Sequence, residues 1–114
     1  MRVLVCGGRD FSDREKLHLE LDTLHRLTPI SCVIHGAARG ADSLAAEWAA
    51  ERHISIEEFA ADWAKQGRAA GPIRNATMLS IGRPELVVAF PGGKGTANMV
   101  QQARKAGLRV QVVT

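Results

Sequence analysis

The spacing of apolar residues along this chain of 114 residues alternates between the period of a strand and that of a helix. Five short apolar runs predict strands, and four longer stretches with apolar residues every three or four positions predict helices between them. Strands that alternate with helices favour a parallel sheet covered by helices on both faces. The predicted strands are Arg2 to Cys6, Ile30 to Ile34, Ile54 to Phe59, Glu85 to Phe90 and Leu108 to Val113.

The predicted helices carry end signals as well as apolar stripes. A capping box, Ser12 to Glu15, predicts the start of the first helix. The third is predicted to start at Gly71-Pro72, and the fourth to run from Thr96 to Ala106 and stop at Gly107, a residue suited to a left-handed cap. Their predicted core stripes are Leu17, Leu21 and Leu24; Ala41, Leu44, Ala45, Trp48 and Ala49; and Ile73, Ala76 and Leu79.

The segment from Ala60 to Gly71 fits neither period and predicts a polar loop that contains Trp63. A loop of this length with a tryptophan between a strand and a helix is typical of a binding lid. The alternative is that Trp63 covers the end of the core. Because no repeat or linker interrupts the chain, we expect residues 1–114 to form one domain.

Composition narrows the class of protein. With 46% hydrophobic and 24% charged residues, the chain is typical of a globular protein. The absence of a long apolar run or a signal peptide predicts a cytoplasmic location and no membrane partner. Cys6 and Cys32 lie in apolar runs without metal-ligand spacing, so we expect buried reduced thiols and no metal site. The net charge of +3 makes only a weak case for nucleic acid.

Glycine-rich turns follow three of the predicted strands. Peptide N–H groups and the positive end of a helix dipole at such a turn suit a phosphate. If the strand order is 3-2-1-4-5, a ligand crevice is expected between strands 1 and 4. The segment from Phe90 to Thr96 is neither a Walker A loop nor a complete dinucleotide fingerprint, so its glycines alone leave a plain strand-to-helix connection open.

Charged side chains accompany these turns. Arginine binds phosphate bidentately and Asn75 can pair with a purine edge, so the residues suit a nucleotide-like ligand. The predicted ligand-binding residues are Gly7, Gly8, Arg9, Gly36, Arg39, Gly40, Asp42, Asp62, Trp63, Arg74, Asn75, Pro91, Gly92, Gly93, Lys94, Gly95 and Thr96.

Five ordered motifs resemble the YspA or cpYpsA-related branch of the SLOG superfamily. The resemblance covers essentially the whole chain. It implies a Rossmann-like fold and a nucleotide or nucleotide-derived ligand. Together with the pattern of strands and helices, we expect a three-layer α/β sandwich with a five-stranded parallel sheet of order 3-2-1-4-5, and a ligand of the AMP, ADP-ribose or NAD type. The motifs are Cys6 to Phe11, Gly36 to Asp42, Ala61 to Trp63, Ala70 to Met78 and Phe90 to Thr96.

The chain is also similar to the lysine decarboxylase-like LOG enzymes, which cleave the N-glycosidic bond of nucleoside 5′-monophosphates with an arginine and a glutamate. Arg74 and Met78 match their Arg-Lys-x-x-Met motif, with Asn75 in place of the lysine. Met99 occupies the position of the glutamate. A carboxylate stabilises the positive charge that develops on the sugar and a thioether cannot, so we expect a nucleotide-binding or sensor module.

Two alternatives remain open. A hydrolase with a relocated carboxylate would use Arg74 with Asp10 or Asp42, and His35 could serve as a general base; alternatively the two aspartates cap helices or bind ribose hydroxyls. The DNA-processing protein DprA shares the fold of this superfamily, which suggests single-stranded DNA binding, but the chain has no tyrosine and few other aromatic residues for base stacking. The LOG relatives imply a homodimer or larger homo-oligomer.

Overall fold

The computed structural model describes all residues, 1–114, and has a parallel five-stranded sheet of order β3-β2-β1-β4-β5. The predicted fold class and strand order are therefore confirmed. The strands are β1 Arg2–Cys6, β2 Cys32–His35, β3 Ser55–Glu58, β4 Leu86–Ala89 and β5 Arg109–Val112. The helices are α1 Arg14–Leu27, α2 Ala41–Glu51, α3 Trp63–Gln66, α4 Ala70–Ser80 and α5 Lys94–Lys105, with a 3₁₀ turn at Gly67–Ala69.

The central strands separate two apolar cores because successive side chains of a strand point to opposite faces. Val3 and Val5 of β1 lie in a cluster with Leu17 of α1 and Trp48 of α2. On the opposite face, Leu4 lies in a cluster with Met78 of α4 and with Met99 and Ala103 of α5. The result is three layers, with α1 and α2 on one face and α4 and α5 on the other.

Three local predictions are wrong. The N-cap of α1 is Asp13, whose side chain accepts a hydrogen bond from the Lys16 N–H, rather than Ser12 of the predicted capping box. Residues 60–71 are not a continuous loop, because α3 and the 3₁₀ turn lie within them. Ile73 and Ala76 are exposed, and α4 instead buries Gly71, Asn75 and Met78.

The change of face in α4 has a physical reason. The helix begins at the carboxyl edge of the sheet and ends near Arg2 at the start of β1, so its first turns meet a polar cleft and its later turns meet the core. Gly71 lies against the Cη2 edge of the Trp63 ring, and Asn75 is hydrogen-bonded to α5. The spacing of apolar residues alone does not reveal this face, because it includes a glycine and an asparagine.

Gly107 and the two cysteines agree with the sequence analysis. Gly107 has φ +79°, as a left-handed cap requires. Cys6 and Cys32 are buried and form no disulfide. None of the helices has both the length and the apolar character needed to cross a bilayer.

Candidate functional site

A cleft of about 480 Å³, the main cleft, lies at the carboxyl edge of the sheet, above the ends of the neighbouring strands β1 and β4. Val5 and Cys6 of β1 line it together with Met78 and Met99 of the covering helices. Eleven of the predicted ligand-binding residues also line it. They are Gly7, Gly8, Arg9, Asp42, Trp63, Arg74, Asn75, Gly93, Lys94, Gly95 and Thr96.

Four of the six remaining predicted ligand-binding residues line two adjoining clefts. A cleft of about 380 Å³ is lined by Gly36 and Arg39, and a third of about 470 Å³ by Asp10, Pro91 and Gly92. Arg9 lines all three clefts and marks their junction. Gly40 and Asp62 line none of the three: Gly40 is the N-cap of α2, and Asp62 accepts a hydrogen bond from the Lys65 N–H at the start of α3.

The first turn of α5 presents unused hydrogen-bond donors to the main cleft. The first N–H of this helix with a protein acceptor is that of Ala97, which donates to the carbonyl of Gly93 at 3.0 Å. The N–H groups of Lys94, Gly95 and Thr96 donate to no protein atom. Together with the helix dipole and the exposed Lys94 side chain, these groups form an arrangement suited to an anion.

Arg74 and Asp42 both bind the backbone of Gly36, in the turn after β2. Arg74 Nη1 donates to the Gly36 carbonyl at 2.5 Å, and its Nε donates to Asn75 Oδ1 at 3.0 Å. Asp42 Oδ2 accepts hydrogen bonds from the N–H groups of Gly36 at 3.0 Å and Ala38 at 3.3 Å. Asp42 Oδ1 accepts none from the protein, so it is available to a ligand.

Burial shifts the titration of both charged groups. It raises the pKa of Asp42, against the opposing effects of the Ala38 hydrogen bond and of the positive charge on Arg74. It lowers the pKa of Arg74, and the negative charge of Asp42 opposes that change. Burial also raises the pKa of Cys6 to about 12, so its thiol is not a nucleophile at neutral pH.

A chain of amide side chains joins α4 to α5 beside the cleft. Asn75 is almost fully buried, and its Nδ2 donates to Asn98 Oδ1 at 3.1 Å and to the Gly95 carbonyl at 3.3 Å. Gln102 Nε2 donates to the same Asn98 oxygen at 2.7 Å. Asn98 lines the cleft and its Nδ2 has no protein acceptor.

Asn98 was not among the predicted ligand-binding residues, and neither was Arg68, which also lines the cleft. For Asn98 a sequence signal was present, because it directly precedes the position at which the LOG enzymes carry their glutamate. Arg68 follows the short helix α3, which the sequence analysis treated as a loop, so no signal placed it at this edge.

The carboxylates considered for hydrolysis are placed differently from one another. The Asp10 side chain is 97% exposed, lies 3.5 Å from Arg39 Nη2 and does not line the main cleft. Asp42 does line it, so the structure brings Asp42 and Arg74 together and leaves Asp10 outside.

His35, at the end of β2, lines none of the three clefts. Its Nδ1 accepts a hydrogen bond from the Ala37 N–H at 3.0 Å. Its Nε2 is buried without a hydrogen bond and lies 3.9 Å from Glu58 Oε2. The imidazole is therefore buried and lies outside the three clefts.

Two comparisons with known proteins give the family of this chain. The sequence profile of the YspA, cpYpsA-related SLOG family matches residues 1–66, which include the turns after β1 and β2. Gene 61 protein of Mycobacterium phage D29 is 38% identical over 117 aligned residues, which cover 96% of this chain and 93% of that protein. The family match extends over more than half of the chain. The chain therefore belongs to the YspA, cpYpsA-related SLOG family.

Proposed function

We propose that this protein binds a nucleotide or a nucleotide-derived ligand of the AMP, ADP-ribose or NAD type in the main cleft and acts as a binding or sensor module. The observation that carries the proposal is the set of three unused N–H groups at the start of α5, in the same cleft as Arg74 and Lys94. A phosphoryl group on this turn would accept several charge-assisted hydrogen bonds.

The rest of the cleft suits the sugar of such a ligand. Asp42 Oδ1 can accept a hydrogen bond from a ribose hydroxyl, and Asn98 Nδ2 can donate one to a sugar or phosphate oxygen. Both atoms lack protein partners and belong to residues that line the cleft. The volume of about 480 Å³ lies within the range of small-molecule sites.

Thermal unfolding in the presence of AMP, ADP-ribose or NAD tests this proposal. A ligand at about 100 times its Kd adds about 2.7 kcal/mol to the free energy of unfolding. For a chain of this size, that corresponds to an increase in Tm of roughly 10 °C. If none of the three compounds raises the Tm at millimolar concentration, the proposal is wrong.

Lys94→Ala is the variant that locates the phosphate. The Lys94 side chain has no ion pair or hydrogen bond in the protein, so its removal should leave the fold intact. Loss of one exposed charge contact of up to about 1 kcal/mol would weaken binding about two- to fivefold. Lys105→Ala, at the other end of the same helix, is the matched control and should bind as the wild type does.

A second candidate function is hydrolysis of an N-glycosidic bond, and one observation favours it. Asp42 lies in the cleft beside Arg74, and its raised pKa is the property expected of a general acid. The test is release of free base from nucleoside monophosphates by the wild type and by Asp42→Asn. Turnover by the wild type that is lost in Asp42→Asn, with ligand binding retained, would assign catalysis to this carboxyl group.

A further inference from the structure

Trp63 presents an aromatic ring to the cleft. It is the first residue of α3, where Asp62 caps the helix, and it is 48% exposed. It lines both the main cleft and the adjoining cleft of about 380 Å³. A large aromatic side chain that remains half exposed at the junction of two clefts is available to a ligand.

The backbone of α4 fixes the position of this ring. A Cβ atom built on Gly71 would lie 3.2 Å from the Cη2 atom of Trp63, so the indole packs closely against a position without a side chain. A side chain at this position would push against the edge of the ring, so the glycine helps to fix where the indole lies. A planar surface held in this way can be used for stacking without further ordering.

The only partner of the ring on the cleft side is a side chain that can be exchanged. The Cζ atom of Arg9 lies 5.4 Å from the centroid of the indole, and Arg9 forms no ion pair or hydrogen bond through its guanidinium group. An exposed cation–π contact of this type is weak. An aromatic ring can therefore take the place of Arg9 on the indole without breaking another interaction of that side chain.

We propose that the heteroaromatic base of the ligand stacks on Trp63 and displaces Arg9, which is then free to pair with a phosphate. This inference rests on the proposed function and assigns the part of the ligand that the α5 turn does not hold. Base–aromatic stacking tolerates any base, so Trp63 supplies affinity for a ring rather than discrimination between purines and pyrimidines.

The position of Trp63 relative to α5 supports a ligand with two ends. Lys94, Gly95 and Thr96 line the same cleft as Trp63, but they belong to a different element. A phosphate on α5 and a base on α3 would require a linker between them, which a ribose supplies. Ribose 5-phosphate carries the phosphate and the sugar without the base, and it therefore separates the two ends in an experiment.

The test measures the affinities of AMP and ribose 5-phosphate by calorimetry for the wild type, Trp63→Ala, Trp63→Phe and Lys65→Ala. We expect Trp63→Ala to weaken AMP binding by about 5- to 150-fold, the range for loss of one base stack. Ribose 5-phosphate should bind the wild type and Trp63→Ala equally. Trp63→Phe should retain most of the AMP affinity, and Lys65→Ala, an exposed position on the same helix, should retain all of it.

Fluorescence gives a second measurement, because the chain has two tryptophans and Trp48 is fully buried in the core. AMP should quench the emission of the wild type and leave that of Trp63→Phe unchanged. An equal loss of both ligands in Trp63→Ala, or no loss of either, would overturn the stacking proposal while the nucleotide site remained. If no nucleotide binds the wild type, the proposed function fails and this inference fails with it.

Discussion

Arg74 and Asp42 hold the same residue through its two backbone groups: the guanidinium donates to the carbonyl of Gly36, and the carboxylate accepts from its N–H. The turn after β2 is therefore fixed by two side chains of opposite charge from different helices. Arg74 was predicted from the sequence as a ligand clamp. In the structure it also positions this turn, so a variant at Arg74 reports on stability as well as on binding.

Arg74→Ala should lower the free energy of unfolding by about 2–3 kcal/mol, because it removes a charged hydrogen bond and leaves the buried Gly36 carbonyl unpaired. Urea unfolding measures the change. Arg68→Ala is the matched control, because Arg68 lines the same cleft but is exposed and forms no hydrogen bond through its side chain. It should stay within about 0.5 kcal/mol of the wild type. Equal effects of the two substitutions would contradict the anchoring role.

The raised pKa of Asp42 predicts a pH dependence of stability with a definite sign. The ordinary pKa is 3.8 and the folded value lies above it, so between the two values the native state holds more protons than the unfolded chain. The free energy of unfolding therefore falls as the pH rises through this window. Asp42→Asn, which lacks the titrating group, should not show this component. If the free energies of unfolding of the wild type and Asp42→Asn change in parallel from about pH 3 to about pH 7, the assignment to Asp42 is wrong.

Gly95→Ala separates binding from folding. A Cβ at this position meets no atom within 4 Å, and the residue lies in the first turn of α5. Alanine should therefore leave the fold intact and raise the free energy of unfolding by up to about 1 kcal/mol, because it favours the helix. The added methyl group would enter the space assigned to the phosphate and weaken AMP at least about tenfold, or 1.4 kcal/mol. A variant that is more stable and binds AMP normally would place the phosphate elsewhere.

Substitutions of Met99 test whether this position, where the LOG enzymes have a glutamate, can hold a carboxyl group. Its side chain is fully buried and lies in the apolar cluster with Leu4 and Met78. Met99→Glu would place a carboxyl group among these apolar side chains, and it should destabilise the protein by about 3 kcal/mol or more. Met99→Leu, which preserves volume and polarity, should cost less than about 1.5 kcal/mol. If Met99→Glu and Met99→Leu have nearly equal unfolding midpoints in urea, this position accommodates a glutamate and the prediction is wrong.

The sheet was predictable because its central strands are buried on both faces, and such strands read as apolar runs. Val3 to Cys6 and Leu86 to Ala89 are of this type, and the structure places them side by side. The glycine turns after them then had to meet at one edge. This much follows from residue pattern and from the geometry of a parallel sheet.

The interior of the site was harder to predict, because it depends on which side chains meet across elements. The chain of amides from Asn75 to Gln102 joins helices that are distant in sequence, and no period marks it. The short helix that starts at Trp63 has only four residues, too few to show a helical stripe. The different exposure of Asp10 and Asp42 likewise follows from tertiary packing.

The hydrogen bonds of the Gly8 backbone affect how a ligand enters and leaves the cleft. Its N–H donates to the carbonyl of Pro91, and its carbonyl accepts from the N–H groups of Phe11 and Ala41, so the turns after β1 and β4 and the start of α2 are joined at one point. That side of the mouth is preassembled and cannot widen unless these bonds break. Exchange of a bound molecule is thus expected to be governed by the segment 63–69, which makes no backbone hydrogen bond to this junction and meets it through the weak contact between the Trp63 ring and Arg9.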